Sequence, residues 1–95
     1  MELYEEIKKS FPTFEMLFTQ EELREFKSTA RDNLNSYHFG FGTWIRNNLL
    51  HIENSILFDL FIKYGFTHPD DMSFFIICNF HDYIVAETQK IKDEK

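Results

Sequence analysis

The sequence contains a single cysteine, Cys78, so no intrachain disulfide can stabilise the fold. Its longest uninterrupted apolar run covers only residues 74–78, whereas a membrane-spanning helix needs roughly 18 apolar residues or more. The opening residues also lack the basic and then apolar stretch of a secretory signal. From these absences we expect a soluble protein of the reducing cytoplasm that makes no contact with membranes.

Basic residues are scarce as well. Lys and Arg number 10 against 16 Asp and Glu, which gives a formal net charge of −6, and no three basic residues form a cluster. Nucleic-acid binding requires a basic patch that neutralises phosphates, so this composition excludes it. An acidic surface would speed the encounter with a basic protein partner, although it equally serves solubility.

Glycine and proline are few, at three and two residues, and no stretch rich in them divides the chain. We therefore expect one domain, with an N-terminal arm and short helix over 1–18, a core over 19–90 and a frayed tail over 91–95. Aromatic residues, by contrast, are abundant: 12 are Phe, and the aromatic share is 18%. Each buried ring removes roughly 150 to 250 Å² from water, so a small core can form without disulfides or metal.

Helix start and stop signals predict about five helices and no sheet, which is an all-α, compact single-domain bundle. The clearest signals are a capping box formed by Thr19 and Glu22, a proline-led acidic start at Pro69 and a glycine stop at Gly65. Apolar residues spaced three and four apart extend these signals into helices. The predicted ranges are 2–10, 20–35, 44–51, 55–64 and 69–90, with Thr43 capping the third and Asn54 or Ser55 capping the fourth.

The segment 37–48 is the most unusual part of the chain, because two glycines one residue apart precede a predicted helix start. The first N–H groups of a helix have no intrahelical partner and attract anions. The Thr43 hydroxyl, His38 and the guanidinium of Arg46 would add donors for a carboxylate or phosphate. The structural alternative is a simple turn, in which Thr43 caps the helix and Arg46 pairs with Asp70 or Asp71 to hold two helix starts together.

Histidine and cysteine chemistry receives little support from the residue spacing. No two of the four histidines are four residues apart, and His81 and Asp82 are adjacent and cannot share a helix face. Cys78 lies in an apolar run, where a thiol is normally inert, although His81 follows it by one helical turn. We therefore expect no metal, no cofactor and no catalytic residue.

Two motifs carry a resemblance to a known family. FGFGTWIRNN covers residues 39–48, and HPDDMS covers residues 68–73, followed by Phe80 and His81. In this order, over residues 37–83, they resemble an uncharacterised small bacterial family of domains of unknown function. An aromatic residue often follows the paired asparagines in that family, where this chain has Leu49 and Leu50. The resemblance implies a small helical domain and brings no assigned activity, substrate or cofactor.

Two functions fit this sequence. The preferred interpretation is a non-enzymatic module that binds a protein partner, or a second copy of itself, through a neutral aromatic middle and acidic flanks. The middle comprises Tyr37, Phe39, Phe41 and Trp44. The alternative is a small-anion binder or minimal enzyme at the Gly40–Arg46 helix start. The candidate binding residues are His38, Gly40, Phe41, Gly42, Thr43, Trp44, Arg46, Asn47, His68, Asp70 and Asp71.

Overall fold

The structure, a computed structural model, describes residues 2–93, with side chains through Glu87. Over this range the chain forms six α-helices and no strand, which confirms the all-α class. The helices are α1 (Glu2–Lys8), α2 (Phe11–Leu17), α3 (Gln20–Ser28), α4 (Phe41–Ile45), α5 (Ile56–Lys63) and α6 (Pro69–Asp93). A 3₁₀ helix (Arg31–Tyr37) precedes α4, and a π-helical turn (Arg46–Leu50) follows it. None of these helices combines the length and apolar content that crossing a bilayer would require.

The predicted capping box is present at the start of α3. The Thr19 hydroxyl accepts the Glu22 N–H at 3.1 Å, and the Glu22 carboxylate accepts the Thr19 N–H at 2.8 Å. At the start of α5, the cap is Ser55, whose hydroxyl accepts the Phe58 N–H at 3.0 Å. These local hydrogen bonds satisfy donors that a helix start leaves unpaired, which is why the sequence alone locates them.

The predicted glycine stop of α5 is also confirmed. Gly65 has φ of +95°, a conformation that favours glycine. The Phe66 N–H donates to the Phe61 carbonyl at 2.9 Å, and the Gly65 N–H donates to the Ile62 carbonyl at 3.0 Å. This pair of hydrogen bonds is a Schellman motif, and it turns the chain toward α6.

Helix α6 begins at Pro69, as predicted, with Asp70 and Asp71 in its first turn. It continues to Asp93, beyond the predicted end near residue 90. The predicted frayed tail begins at residue 91, so the helix covers its first three residues. Residues 94 and 95 of that tail lie outside the described range.

The sequence predicts one helix before residue 19, but the structure contains two. The second helix, α2, begins at Phe11, just past the predicted range 2–10, and Pro12 lies in its first turn. A helix start needs no N–H at that position, so proline is well tolerated there. Leu3 and Ile7 of α1 and Phe11 and Phe14 of α2 are all buried in the main core.

The prediction of a single helix over 20–35 is wrong, because α3 ends at Ser28. The hydroxyls of Ser28 and Thr29 donate to the carbonyl of Glu25 at 3.0 and 2.9 Å, which offers the backbone an alternative to helical hydrogen bonding. Thr29 and Ala30 are extended, and the chain resumes as the 3₁₀ helix. This break still leaves Leu34 fully buried.

The predicted helix 44–51, capped by Thr43, is also wrong in detail. Helix α4 starts earlier, at Phe41. Its cap residue is Gly40, which has no side chain that could accept a backbone N–H. After Ile45 the backbone widens into the π-helical turn, in which the His51 N–H donates to the Arg46 carbonyl at 2.8 Å. The Thr43 hydroxyl instead accepts a hydrogen bond from a side chain in the site described below.

The core is organised around one aromatic ring. Phe80 of α6 is fully buried, and its ring centroid lies 5.2 to 5.8 Å from those of Phe11, Phe14, Phe26 and Phe41. Edge-to-face, tilted and stacked aromatic pairs at these distances add to the stabilisation that burial provides. Because these partners come from α2, α3 and α4, this one side chain brings three helices against α6.

Candidate functional site

Arg46 is a largely buried charged side chain whose donors are used within the protein. Its side chain is 13% exposed. The guanidinium donates to the Ser73 hydroxyl at 2.9 Å, and to the His38 carbonyl and the Thr43 hydroxyl at 3.0 Å each. Its Nε lies 3.6 Å from the Asp70 carboxylate. Arg46 therefore connects the end of the 3₁₀ helix, α4 and the start of α6.

Gly42 makes room for this arrangement. A Cβ atom at this position would lie 3.0 Å from Nη1 of Arg46 and 3.3 Å from the Tyr37 carbonyl oxygen. Both distances are too short for ordinary carbon contacts. Because the guanidinium folds back over its own helix by one turn, a side chain at position 42 would require Arg46 or the Tyr37 backbone to shift.

The two helix starts singled out in the sequence therefore meet in space. The expected ion pair forms with Asp70, whose carboxylate is itself 68% exposed. A pair of this kind contributes little on its own, so the hydrogen bonds to buried Ser73 and to the His38 carbonyl supply most of the connection. Asp71, the other expected partner, points into a different cleft, which is described below.

This geometry makes Arg46 an internal clamp. A guanidinium that binds a phosphate or carboxylate needs free, convergent N–H groups, and within the described residues those of Arg46 already have acceptors. Helix α4 is only five residues long, which limits any anion attraction from its backbone. The alternative prediction of an anion site at Gly40–Arg46 gains no support from this arrangement.

The other predicted site residues lie in different surroundings. His38 is half-buried, with Nδ1 3.4 Å from Arg46 and its ring edge-on to that of Phe39 at 4.8 Å. Asn47 is exposed on the π-helical turn. His68 is exposed and contributes its carbonyl to the first turn of α6, where it accepts the Asp71 N–H at 3.1 Å. These residues do not converge on a common pocket.

Trp44 and Phe41, however, do line a shared groove. It has a volume of about 220 Å³ and lies between the C-terminal end of α2 and α4. The lining residues are Leu17, Phe18, Glu22, Gly40, Phe41 and Trp44. Trp44 is half-buried, and the indole meets the Phe14 ring edge-on at 6.1 Å, so it is fixed in place. Sequence reasoning missed Leu17 and Phe18, because it did not predict α2.

Large apolar side chains are exposed at the groove residue Leu17 and at two residues that precede groove residues in the chain, Met16 and Phe39. Met16 is 85% exposed, Leu17 is 42% exposed, and Phe39, which precedes Gly40 in the chain, is 84% exposed. Large apolar side chains exposed together are characteristic of interaction surfaces. Of the four aromatic residues expected to form a contact surface, the structure exposes Phe39 and half-exposes Tyr37 and Trp44, while Phe41 is buried.

Glu22 is the only charged side chain that lines the groove. Residues 11–23 contain Glu15, Glu21 and Glu22 and no basic residue, and residues 38–45 contain no Asp, Glu, Lys or Arg. The hydrogen bonds from Thr19 lower the pKa of Glu22, so this lining carboxylate is charged at neutral pH. The groove therefore combines apolar walls with an acidic edge.

Nucleophilic and metal chemistry have weak support in the geometry. Among the residues that the structure describes, no three His, Cys, Asp or Glu side chains come close enough to hold a metal ion. Burial raises the pKa of the Cys78 thiol, although nearby Arg31 acts in the opposite direction. A thiol in this state is mostly protonated at neutral pH and is a poor nucleophile.

Comparison with known proteins identifies the family. The model of a domain of unknown function, DUF6794, matches residues 5–84, which include the second half of α1, all of α2 to α5 and the first two thirds of α6. The chain belongs to the DUF6794 family. No curated protein and no solved structure matches this DUF6794 domain.

Proposed function

We propose that this DUF6794 domain is a non-enzymatic protein-interaction module whose contact surface is the groove beside Trp44. The observation that carries the proposal is the groove itself, whose lining combines apolar walls with the Glu22 carboxylate and contains no basic side chain. Interface centres are enriched in aromatic residues and Met, and buried aromatic anchors supply most of the binding energy.

The size of the groove favours a side-chain anchor over a small-molecule substrate. Ligand pockets usually enclose about 300 to 1,000 Å³, and this groove has about 220 Å³. One large apolar side chain of a partner fits such a volume. The only ionisable side chain in its lining is Glu22, whose carboxylate already accepts the Thr19 N–H. It therefore lacks the converging acid, base or nucleophile that catalysis needs.

The charge around the groove determines the partner's chemistry. Because Glu22 is the only charged side chain in the groove lining, a partner segment with Lys or Arg beside its apolar anchor is attracted, and an acidic one is repelled. We therefore infer that the occupant is a cationic amphipathic segment of another protein. An apolar groove that receives an amphipathic helix is a recurrent mode of recognition.

Selection from a random peptide display library on the full-length domain tests this proposal. We expect the enriched peptides to combine one or two large apolar residues with a net positive charge. Their affinity is then measured by fluorescence anisotropy for the wild-type domain and for two variants, Leu17→Glu and Ile62→Glu. Both substitutions place a carboxylate at an exposed position, 42% exposed in the groove and 47% exposed on α5, respectively.

The two variants should differ clearly. We expect Leu17→Glu to weaken peptide binding by about tenfold or more, because it removes an apolar contact at the centre of the interface, and Ile62→Glu to change it by less than about twofold. Equal affinity for both variants, or enrichment of acidic peptides, would contradict the proposal. A dimer in sedimentation velocity that Leu17→Glu dissociates would also contradict it, because the occupant would then be a second copy of the chain.

A further inference from the structure

Helix α6 has a second stripe beside its core stripe, which combines Phe74, Phe75 and Cys78 with three polar side chains. The core stripe includes Met72, Ile76, Phe80 and Ile84, all of which are buried. The second stripe follows the same spacing of three and four residues, which places its members on one helix face. Its members are Asp71, Phe74, Phe75, Cys78, Asn79 and Asp82.

This stripe forms the floor of a cleft of about 410 Å³, which is larger than the Trp44 groove and shares no lining residue with it. In the part of the chain that the structure describes, only Arg31 and Phe66 lie beside the stripe as further walls. The volume falls within the range of about 300 to 1,000 Å³ that is usual for small-ligand sites.

Aromatic rings surround the middle of the cleft. The rings of Phe66 and Phe75 meet at 69° with centroids 5.2 Å apart, so they form two steeply inclined walls. Phe74, on the same helix face, is 38% exposed. Rings at such angles can enclose an alkylammonium group, because the negative face of an aromatic ring attracts a cation.

The charged side chains in the cleft determine whether a positive or a negative ligand is favoured. The single basic side chain, Arg31, donates to the Asp82 carboxylate at 2.7 Å, and this ion pair leaves no net charge at that end. Asp71, at the other end, forms no ion pair within the described residues. One uncompensated carboxylate beside three aromatic rings favours a cation with an apolar surface over an anion or a neutral molecule.

We propose that this cleft binds an alkylammonium group, either on a free small molecule or on the methylated lysine side chain of a peptide. The rings of Phe66, Phe74 and Phe75 contact its methyl groups, and the Asp71 carboxylate neutralises its charge. This site is independent of the proposed function at the Trp44 groove, because the two sites have no residue in common.

A titration of the full-length domain followed by two-dimensional NMR tests the site. The probes are choline and 3,3-dimethyl-1-butanol, which has nearly the same shape and no charge. We expect choline to shift the amide signals of Phe66 and of residues 71–82, and the neutral alcohol to bind about tenfold more weakly or not at all. The emission of Trp44 should stay unchanged, because this residue lies outside the cleft.

Two variants separate the contribution of the carboxylate from that of the aromatic ring, and a third variant is the control. Asp71→Asn removes the carboxylate and Phe74→Leu removes a ring while it keeps an apolar side chain, and each should weaken choline binding by about threefold to tenfold. Asp59→Asn makes the same change of charge on α5, outside the cleft, and should leave the affinity within about twofold. All three positions are exposed, so thermal unfolding should show that the variants remain folded.

Two further probes distinguish the source of the ligand. If a peptide with trimethyllysine binds more tightly than choline and than the same peptide with unmodified lysine, the ligand is a modified side chain. If choline binds at least as tightly as the peptide, the ligand is a free molecule. Equal binding of the neutral alcohol, unchanged affinity in Asp71→Asn, or shifts confined to other residues would overturn the proposal.

Discussion

At the residue scale, Arg46 shows how a charge is kept inside a small helical domain. Its guanidinium has acceptors on Ser73, His38 and Thr43, and Asp70 lies at the rim. Hydrogen bonds to a charged group are each worth about 1.5 to 3 kcal/mol when they form away from water. The clamp therefore holds α6 against α4, and it supports the wall on which Trp44 lies.

Replacing Arg46 should destabilise the fold strongly. We expect Arg46→Ala to lower the free energy of unfolding by about 3 kcal/mol, because it leaves buried acceptors unpaired. Arg46→Lys should recover only part of this loss, since an ammonium cannot reproduce the planar fork. Urea unfolding at neutral pH measures both effects. Arg24→Ala, an exposed position that forms no ion pair within the described residues, is the control, and an equally small effect at Arg46 would contradict the clamp.

The two glycines before the clamp should respond differently to the same substitution. Gly42→Ala should lower the free energy of unfolding by about 1 kcal/mol or more, because the new Cβ would press on the guanidinium and on the Tyr37 carbonyl. Gly40→Ala should be nearly neutral, since nothing lies within 4 Å of its Cβ position. Thermal unfolding of the two variants tests this, and a Gly42→Ala variant as stable as the wild type would show that Arg46 relocates freely.

His81 carries a nitrogen that is not satisfied by the fold. The ring is buried edge-on against Phe26 at a centroid distance of 5.3 Å, and Nε2 has no hydrogen-bond partner among the described residues. Because an unpaired buried polar atom costs about 1 to 3 kcal/mol, His81→Leu should raise the free energy of unfolding by about 1 kcal/mol. His51→Leu, at an exposed position, should change it little. A loss of stability in His81→Leu, seen in urea unfolding, would mean that the imidazole has an essential partner.

At the element scale, the capping box at the start of α3 makes stability depend on pH. The hydrogen bonds from Thr19 lower the pKa of Glu22 in the folded state. The stabilisation is therefore present above the carboxyl's unfolded pKa, about 4.3, and is lost as the pH falls through the lower folded value. Glu22→Gln should be less stable than the wild type at neutral pH, and the difference should vanish in acid.

Urea unfolding of Glu22→Gln across this pH range is the measurement. Glu21→Gln, which changes a neighbouring carboxylate outside the capping box, serves as its control and should show a smaller dependence on pH. If the deficit of Glu22→Gln persisted unchanged in acid, the ionised carboxylate would not be the source of the stabilisation.

The sequence predicts those helix ends that depend on a few neighbouring residues. The box at Thr19, the Ser55 cap and the left-handed Gly65 are each complete within six residues, so local chemistry determines them. The break after Ser28 has a different origin. The hydroxyls of Ser28 and Thr29 both donate to the Glu25 carbonyl and so compete with helical backbone hydrogen bonding, although the apolar spacing continues through Leu34. Periodicity alone therefore predicts a longer helix than the chain forms.

The candidate site also has one part that the sequence predicts, the contact of Arg46, and one part that it does not, the Trp44 groove. Opposite charges in two motifs predict that Arg46 meets Asp70 or Asp71, and the structure brings Asp70 to 3.6 Å from it. The Trp44 groove depends on α2, which lies outside all of the predicted helix ranges, so its contribution to the groove wall is missing from the prediction. Because a groove needs two elements from different parts of the chain, its position followed from the fold and not from any motif.

At the scale of the whole molecule, the surface carries an excess of unpaired carboxylates. Among the described side chains, every basic residue except Arg24 and Lys27 lies in an ion pair, whereas most of the acidic residues do not. The net charge of −6 is therefore presented to partners and is not cancelled locally. Both proposed sites use this excess, one beside Trp44 and the other at Asp71, and both select cationic ligands.

The emission of Trp44 tests the central claim most directly, because this residue is the only tryptophan and lies in the groove. The domain is titrated with a cationic amphipathic peptide that lacks tryptophan. We predict a shift of the emission maximum to shorter wavelength as the indole loses water, saturating with the binding curve, and no such shift for Leu17→Glu. An unchanged emission maximum when the peptide is bound would contradict the assignment of this groove as the interaction surface.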